Sequence, residues 1–417
     1  MLVTVHHGGQ SLKLNVELGR LIAASSGPAP IDSSYLRSEL ARVLATPTDY
    51  PPLARSVVPG DHVILAVDPA TPELPTLVLT LIAALGDGGV EPSTITVLAS
   101  RPFPDGAPAL TLPPGATLTT HVPDDRSSLA YLASTESDHR IDLNRLLTDA
   151  DVVIPIGVVG FDRGQGLRGP WSVLYPGLSD RQAHQALRAE LPPPAEPSTT
   201  APPSPLDPAT ARHISLEASW LLGSRFQVAV LPTATGVAGV HAGDIRALFN
   251  SLQLAIDDMW RLEVDKPAEV VVAGLGTTWA TPTWSDLARG LRAAAGVTAS
   301  RGSIVALTSL AADPGPAVRF LAEQSDPTAG PTLLRGRRAV PDTWIARRLA
   351  AVLSSHRVYL HAPNLDPELV EALGFIPMDR PDQAQRIVNT ADSCIVLSPA
   401  ELFRSHIADD EDDHDDA

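Results

Sequence analysis

The chain has 417 residues, 44% of them hydrophobic and 19% charged, a globular composition too long for one compact core. A formal charge of −17 at pH 7 excludes a surface built to displace counterions from nucleic acid. A lone cysteine, Cys394, excludes an intrachain disulfide framework and any multi-cysteine metal site.

In chain order, Met1–Leu14 alternates like a strand and carries His6, His7 and Lys13, so the opening does not read as a secretory leader. His62–Asp68 is a short apolar strand, Glu73–Leu85 a helix and Thr94–Ser100 the next strand. A helical turn at Leu143–Thr148 precedes the strand Asp151–Gly157, and Ser179–Glu190 reads as a helix. Near-continuous apolar runs of this kind suit strands covered on both faces, as in a parallel sheet. Eight of the seventeen residues from Pro192 to Pro208 are proline, which predicts an extended, solvated loop. Beyond it come a helix (Ala211–Leu222), a strand (Phe226–Leu231) and a long amphipathic helix (Asp244–Leu262) with Asp244 as its N-cap. The same grammar restarts with strands at Glu269–Gly276, Ser303–Ser309, Arg357–His361 and Ser393–Leu397. Helices fall at Trp284–Ala295, Ala317–Glu323, Asp342–Leu353 and Pro367–Leu373.

The expected architecture is therefore α/β, with two domains of mainly parallel sheet flanked by helices. Residues 1–264 form the expected first domain, 265–407 the second, and 408–417 an acidic, disordered tail holding seven negative charges in its last nine residues. The longest apolar stretch, Leu74–Leu85, is too short to span a bilayer, so a soluble, cytoplasmic protein with no membrane or nucleic-acid partner is expected.

Few motifs carry chemistry. Five glycines in thirteen residues (Gly157, Gly160, Gly164, Gly166, Gly169) follow a strand at the carboxyl end, where α/β sheets take ligands. Backbone amides there, with Arg163 and Arg168, suit a phosphate; a plain surface loop is the competing reading. Asp68 ends its strand and is placed for a ligand hydroxyl or for a turn. Gly274–Gly276 closes the first strand of the second half in a similar way. His184, just beyond the glycines, is the best-placed histidine for a metal, and a solvated or capping role competes. Lysine occurs only at Lys13 and Lys266, against 29 arginines, so amine chemistry has two places to stand.

The order of segments resembles the nickel-dependent lactate racemase family over roughly Val3–Leu402. VILAVDPATPELPT (Val63–Thr76) stands where that family has a D-x-T-R-P strand end, and IDLNRLLTDADVVIPIG (Ile141–Gly157) is the nearest match. RGPWSVLYPG (Arg168–Gly177) is similar to its G-G-x-K-S-x-x-P-G loop, and VHAGD (Val240–Asp244) follows in order. The resemblance implies two α/β domains around a cleft and a nickel pincer nucleotide tethered to a lysine.

Departures fall on the chemistry. Trp171 stands at the tethering position and Thr71 at the arginine of the strand-end motif, leaving Asp68 in register. One proton-transfer histidine would fall in Ser100–Phe103 and the other at about Phe161, and neither place holds a histidine. The polar pair of the cleft helix falls on Asp286 and Arg289, and the nickel-ligating histidine on His184, displaced by about one helical turn. His121 and His139 are the histidines left to reach the site from another direction.

Racemisation through a hydride acceptor needs a base on each face of the substrate carbon, so these losses together point to a changed task. The expectation is a scaffold that keeps a small phosphate- or carboxylate-bearing ligand near Gly164, Gly166, Arg168, Gly169, Asp68, Asp286 and Arg289. The alternative is an isomerase of a 2-hydroxy acid or sugar acid holding the nickel pincer nucleotide non-covalently, with His184, Asp68 and Asp286 in metal and proton roles. In a third reading, the proline-rich segment and acidic tail bind a partner.

Overall fold

The computed structural model describes all residues except 105–107, 136–139, 163–165, 189–207, 325, 335–339, 341 and 409–417. His139, Arg163, Gly164, most of the proline-rich segment and the acidic tail thus lie outside the described residues. Contacts divide the chain into two units. One holds Met1–Pro28 and the chain from Met259 onward; the other holds Ala29–Leu187 and the later stretch that ends at Asp258.

The first 28 residues, expected in the first domain, therefore sit with the second half of the chain. Strand pairing is the reason. The opening residues form two strands, β1 (Leu2–His7) and β2 (Gln10–Asn15), rather than one. They meet in an antiparallel hairpin turning at Gly8 and Gly9, both at positive φ (54° and 82°), where a side chain would be strained. β3 (Leu21–Ser25) then joins the sheet of the later chain.

The middle unit opens with α1 (Ser33–Ala45), capped by Asp32, whose carboxylate accepts the Ser34 amide at 2.8 Å. β4 (Val63–Val67), α2 (Leu74–Asp87), β5 (Ile95–Ala99) and β6 (Thr117–Thr120) follow. β7 (Leu129–Ser134) and β8 (Arg140–Asn144) form a separate antiparallel pair before α3 (Arg145–Thr148). β9 (Val152–Val158) leads into the small hairpin β10 (Gly160–Asp162) and β11 (Gly166–Arg168), then α4 (Pro170–Leu174) and α5 (Arg181–Arg188). After α6 (Pro208–Leu221) come β12 (Phe226–Pro232), β13 (Val237–Asp244) and α7 (Ile245–Trp260). Asp244 accepts the Arg246 amide at 2.9 Å, the N-cap expected for α7.

The sheet order is β13-β12-β9-β4-β5-β6, parallel apart from β13 at one edge. All five residues of β4 are buried because both faces are covered. Val63, Leu65 and Val67 enter the core that α1 and α2 complete, while Ile64 and Ala66 enter the core of α4 and α6. Each large aliphatic side chain so buried contributes about 1.5–3 kcal/mol.

The later unit adds β14 (Arg261–Val264), β15 (Ala268–Gly274), α8 (Trp284–Ala295), β16 (Thr298–Leu307), α9 (Pro316–Ala322) and α10 (Gly330–Leu333). It continues with α11 (Thr343–Ser355), β17 (Arg357–His361), α12 (Pro367–Ala372), β18 (Ile376–Pro377), α13 (Gln383–Thr390), β19 (Cys394–Leu397) and β20 (Arg404–Ile407). Its sheet, β18-β17-β16-β15-β19-β3, is parallel throughout. The hairpin supplies Val3, Val5 and Leu14 to the core under β15 and β19. Both units are thus α/β layers with largely parallel sheets, as expected. No described helix is long and apolar enough to cross a membrane.

Candidate functional site

In the middle unit β4 and β5 run parallel with Val67 beside Ala99, so the residues that follow each strand emerge side by side at the carboxyl edge. Asp68 follows β4. Its Oδ1 accepts the Ala70 amide at 3.0 Å, which closes a turn, and receives Arg101 Nε at 3.1 Å and Nη2 at 3.0 Å. Arg101 thus occupies the stretch where the resemblance places a proton-transfer histidine. Its side chain is half exposed, and among the described residues its Nη1 meets no acceptor.

Behind the pair, the chain is tightly held. Thr71 is buried, and its Oγ1 has no hydrogen-bond partner among the described residues. Glu73 caps α2 in the left-handed region (φ 57°), a conformation that strains any residue with a side chain. Ser33 and Thr76 hydroxyls each donate to its Oε2 at 3.1 Å and hold it there.

The glycine-rich segment is explained mainly by packing. A Cβ on Gly157 would stand 2.9 Å from Pro170 Cα, so α4 needs a glycine to lie against the end of β9. A Cβ on Gly169 would stand 2.3 Å from the Trp171 ring, which folds back over that glycine. Trp171 is wholly buried, its ring 5.6 Å from that of Phe249, and its Nε1 is buried with no hydrogen-bond partner among the described residues. Gly166, exposed at φ 67°, opens β11, and Arg168 closes it half-buried.

His184 is half-buried on α5, where its amide bonds Asp180 O at 3.3 Å. Among the described residues no group of three or more His, Cys, Asp or Glu side chains is placed to hold a metal. His121 is committed elsewhere. Asn144 uses its Oδ1 for the Leu146 amide, so its Nδ2 is the end that donates to His121 Nδ1 at 3.0 Å. Nε2–H then donates to Ser179 O at 2.8 Å. Burial holds this imidazole below the ordinary histidine range, only partly opposed by the Ser179 bond.

The later unit holds the second candidate cluster. Asp286 and Thr283 form a capping box at the start of α8: Asp286 Oδ2 accepts the Thr283 amide at 2.8 Å and its hydroxyl at 2.7 Å. Arg289 pairs with Asp286 Oδ1 one turn along. Burial works to raise the Asp286 pKa, but the Arg289 charge and the Thr283 bonds outweigh it and hold the carboxyl below the usual range. Glu401 lies against this pair. Its Oε1 accepts the Gly276 amide at 2.8 Å, in the glycine turn that ends β15. Desolvation first, then the charge of Asp286, push its carboxyl up to about 8.

A groove of about 710 Å³ between α1 and α2, lined by Ala41, Leu44, Leu79 and Ala83 among others, includes none of the sequence-predicted candidates. The structure therefore brings Asp68 to Arg101 in one unit, and Asp286 and Arg289 to Glu401 in the other. Aligning strand ends would have found Arg101; no local signal marks Glu401.

No family model and no curated protein matches the chain. Several chains of solved structures are similar to it, two of them as follows. The lactate racemase apoprotein from Thermoanaerobacterium thermosaccharolyticum superposes with a TM-score of 0.75 at 17% identity, covering 97% of this chain and 100% of that one. A structural-genomics crystal structure of a protein from Thermotoga maritima gives 0.62 at 13% identity, covering 91% and 99%. At such identities the likeness carries the fold: both units follow a lactate-racemase-like plan.

Proposed function

We propose that this chain keeps the lactate-racemase scaffold without the tethered nickel chemistry, and binds a small carboxylate- or phosphate-bearing ligand in the cytoplasm. The ligand site is the carboxyl edge of the middle sheet, where Asp68 holds Arg101. One observation carries the reading: a guanidinium stands where the resemblance calls for a base. Arginine is too basic to take a proton from a carbon acid near neutral pH, but its fork suits an oxyanion. Asp68 orients it through Oδ1 and leaves Nη1 for the ligand.

A lysine-tethered nickel pincer nucleotide does not fit the residues present. No lysine lies between Lys13 and Lys266, and the tethering position is a buried tryptophan packed on Gly169 and Phe249. Among the described residues no group of three or more His, Cys, Asp or Glu side chains is placed to hold a metal.

Isothermal titration with inorganic phosphate, D-lactate and L-lactate tests the proposal. At least one is expected to bind, with affinity lost by tenfold or more in Arg101→Ala, the scale of one charge-assisted contact. Absence of binding by all three, or an Arg101→Ala variant that binds like the parent, refutes the anion site. Stoichiometric nickel in protein made alongside the family's cofactor-synthesis enzymes would refute the loss of nickel chemistry.

A further inference from the structure

Glu401 is a buried acid that takes no part in the anion site. It lies on the turn Ala400–Leu402 after β19 and is 7% exposed. One oxygen accepts the Gly276 amide, and the other, Oε2, is buried with no hydrogen-bond partner among the described residues. The charged groups facing it are Asp286 and Arg289, both on α8, and these two pair with each other. A buried carboxylate with no cation of its own, beside another carboxylate, is costly, and such a group relieves the cost by keeping its proton.

We propose that Glu401 is a proton-dependent latch: neutral, it fastens the glycine turn after β15 to the turn after β19, and its ionisation releases them. The neutral side chain still accepts the Gly276 amide, so the fastening bond needs no charge. Ionisation sets a second anion against Asp286, only partly offset by the Arg289 charge, and among the described residues Oε2 has no donor. Release to solvent is the available relief. Gly276 sits at φ 101°, a conformation held by its surroundings, and its carbonyl also accepts the Gly8 amide at 3.3 Å. Release at Glu401 therefore loosens both the turn and the tip of the β1–β2 hairpin.

The sign follows from linkage. The folded value, about 8, lies above the ordinary glutamate value of 4.5, so this contribution to stability is complete below pH 4.5 and is lost as pH rises through 8. Glu401→Gln keeps the size and an acceptor for Gly276 but cannot ionise. In the full chain, the unfolding equilibrium constant of the parent relative to Glu401→Gln is expected to rise about tenfold per pH unit between roughly 5 and 8, then level off. Amide exchange at Gly276, corrected for base catalysis, is expected to accelerate above pH 8 in the parent alone. Parallel stability profiles, or Gly276 exchange unchanged across pH 8, overturn the latch. Should the variant fail to fold, carbon-13 NMR of Glu-labelled parent decides. A glutamate carboxyl titrating near pH 8 that moves together with Gly276 supports the latch, and no glutamate titrating above pH 7 overturns it.

Discussion

Replacing Trp171 tests whether the loop that resembles a cofactor tether has been given over to packing. The indole is wholly buried, lies over Gly169 and meets Phe249 with ring centroids 5.6 Å apart. Trp171→Ala removes the ring and leaves a cavity that backbone-bound neighbours cannot fill, at a cost of about 3–5 kcal/mol. For a unit of roughly 200 residues this lowers the melting temperature by about 6–20 °C. Trp171→Phe should behave differently. It leaves a smaller cavity and also deletes Nε1–H, a buried donor with no partner among the described residues, whose burial costs about 1–3 kcal/mol. The two effects oppose each other, so the phenylalanine variant should lie within about 1 kcal/mol of the parent. Trp171→Lys, which restores the residue type of the tether, should be at least as damaging as alanine because its ammonium enters apolar space. Differential scanning fluorimetry and urea unfolding of the full chain provide the measurement. An alanine variant within about 1 kcal/mol of the parent, or a lysine variant as stable as the parent, refutes the packing argument.

Two further outcomes follow from buried titratable groups. His121 must stay neutral to serve both Asn144 and Ser179, and its folded pKa lies below the unfolded 6.5. Its contribution is therefore present above pH 6.5 and is lost as pH falls from there toward the folded value. Melting temperatures between pH 7.5 and 5.5 should fall more steeply in the parent than in His121→Gln, and equal slopes would refute this. Cys394 is buried in β19, and burial pushes its thiol up to about 12. It should resist iodoacetamide at pH 8 in the folded protein and react once unfolded; native labelling within minutes would contradict the structure.

Local sequence carried the elements whose boundaries rest on local chemistry. The helix Trp284–Ala295 and the strand Arg357–His361 were legible residue for residue, the first because Thr283 and Asp286 form a capping box and the second because a short apolar run stands between polar ends. The strands β4, β9 and β15 showed as apolar runs because both their faces are covered. β3 and β13 went unread. β3 is short and only half-buried, and β13 holds two glycines and a histidine; both owe their strand form to partners distant in the chain or to an edge position. The paired glycines Gly8 and Gly9 were visible, yet alternation on either side concealed the hairpin.

The same limit governs the sites. Asp68 was legible as a strand-end acid, but Arg101 reaches it across 33 residues, through the register of two parallel strands. Glu401 meets Gly276 across 125 residues. Asp286 and Arg289 were singled out through a family resemblance, and local capping chemistry already accounts for their pairing. The glycines after β9 read as a phosphate cradle, although for Gly157 and Gly169 close approach of α4 and an indole is the reason.

The placement of β3 bears on how the chain is made. Its neighbour, β19, lies at Cys394–Leu397, at the other end of the sequence. At about 5–20 residues per second, a ribosome takes roughly 20–75 s to travel from one strand to the other. The middle unit is complete by Asp258 and is free to fold during that interval, as an insertion maturing inside an unfinished host. β3, among the earliest strands synthesised, waits for one of the latest, and its open edge must be shielded until β19 emerges.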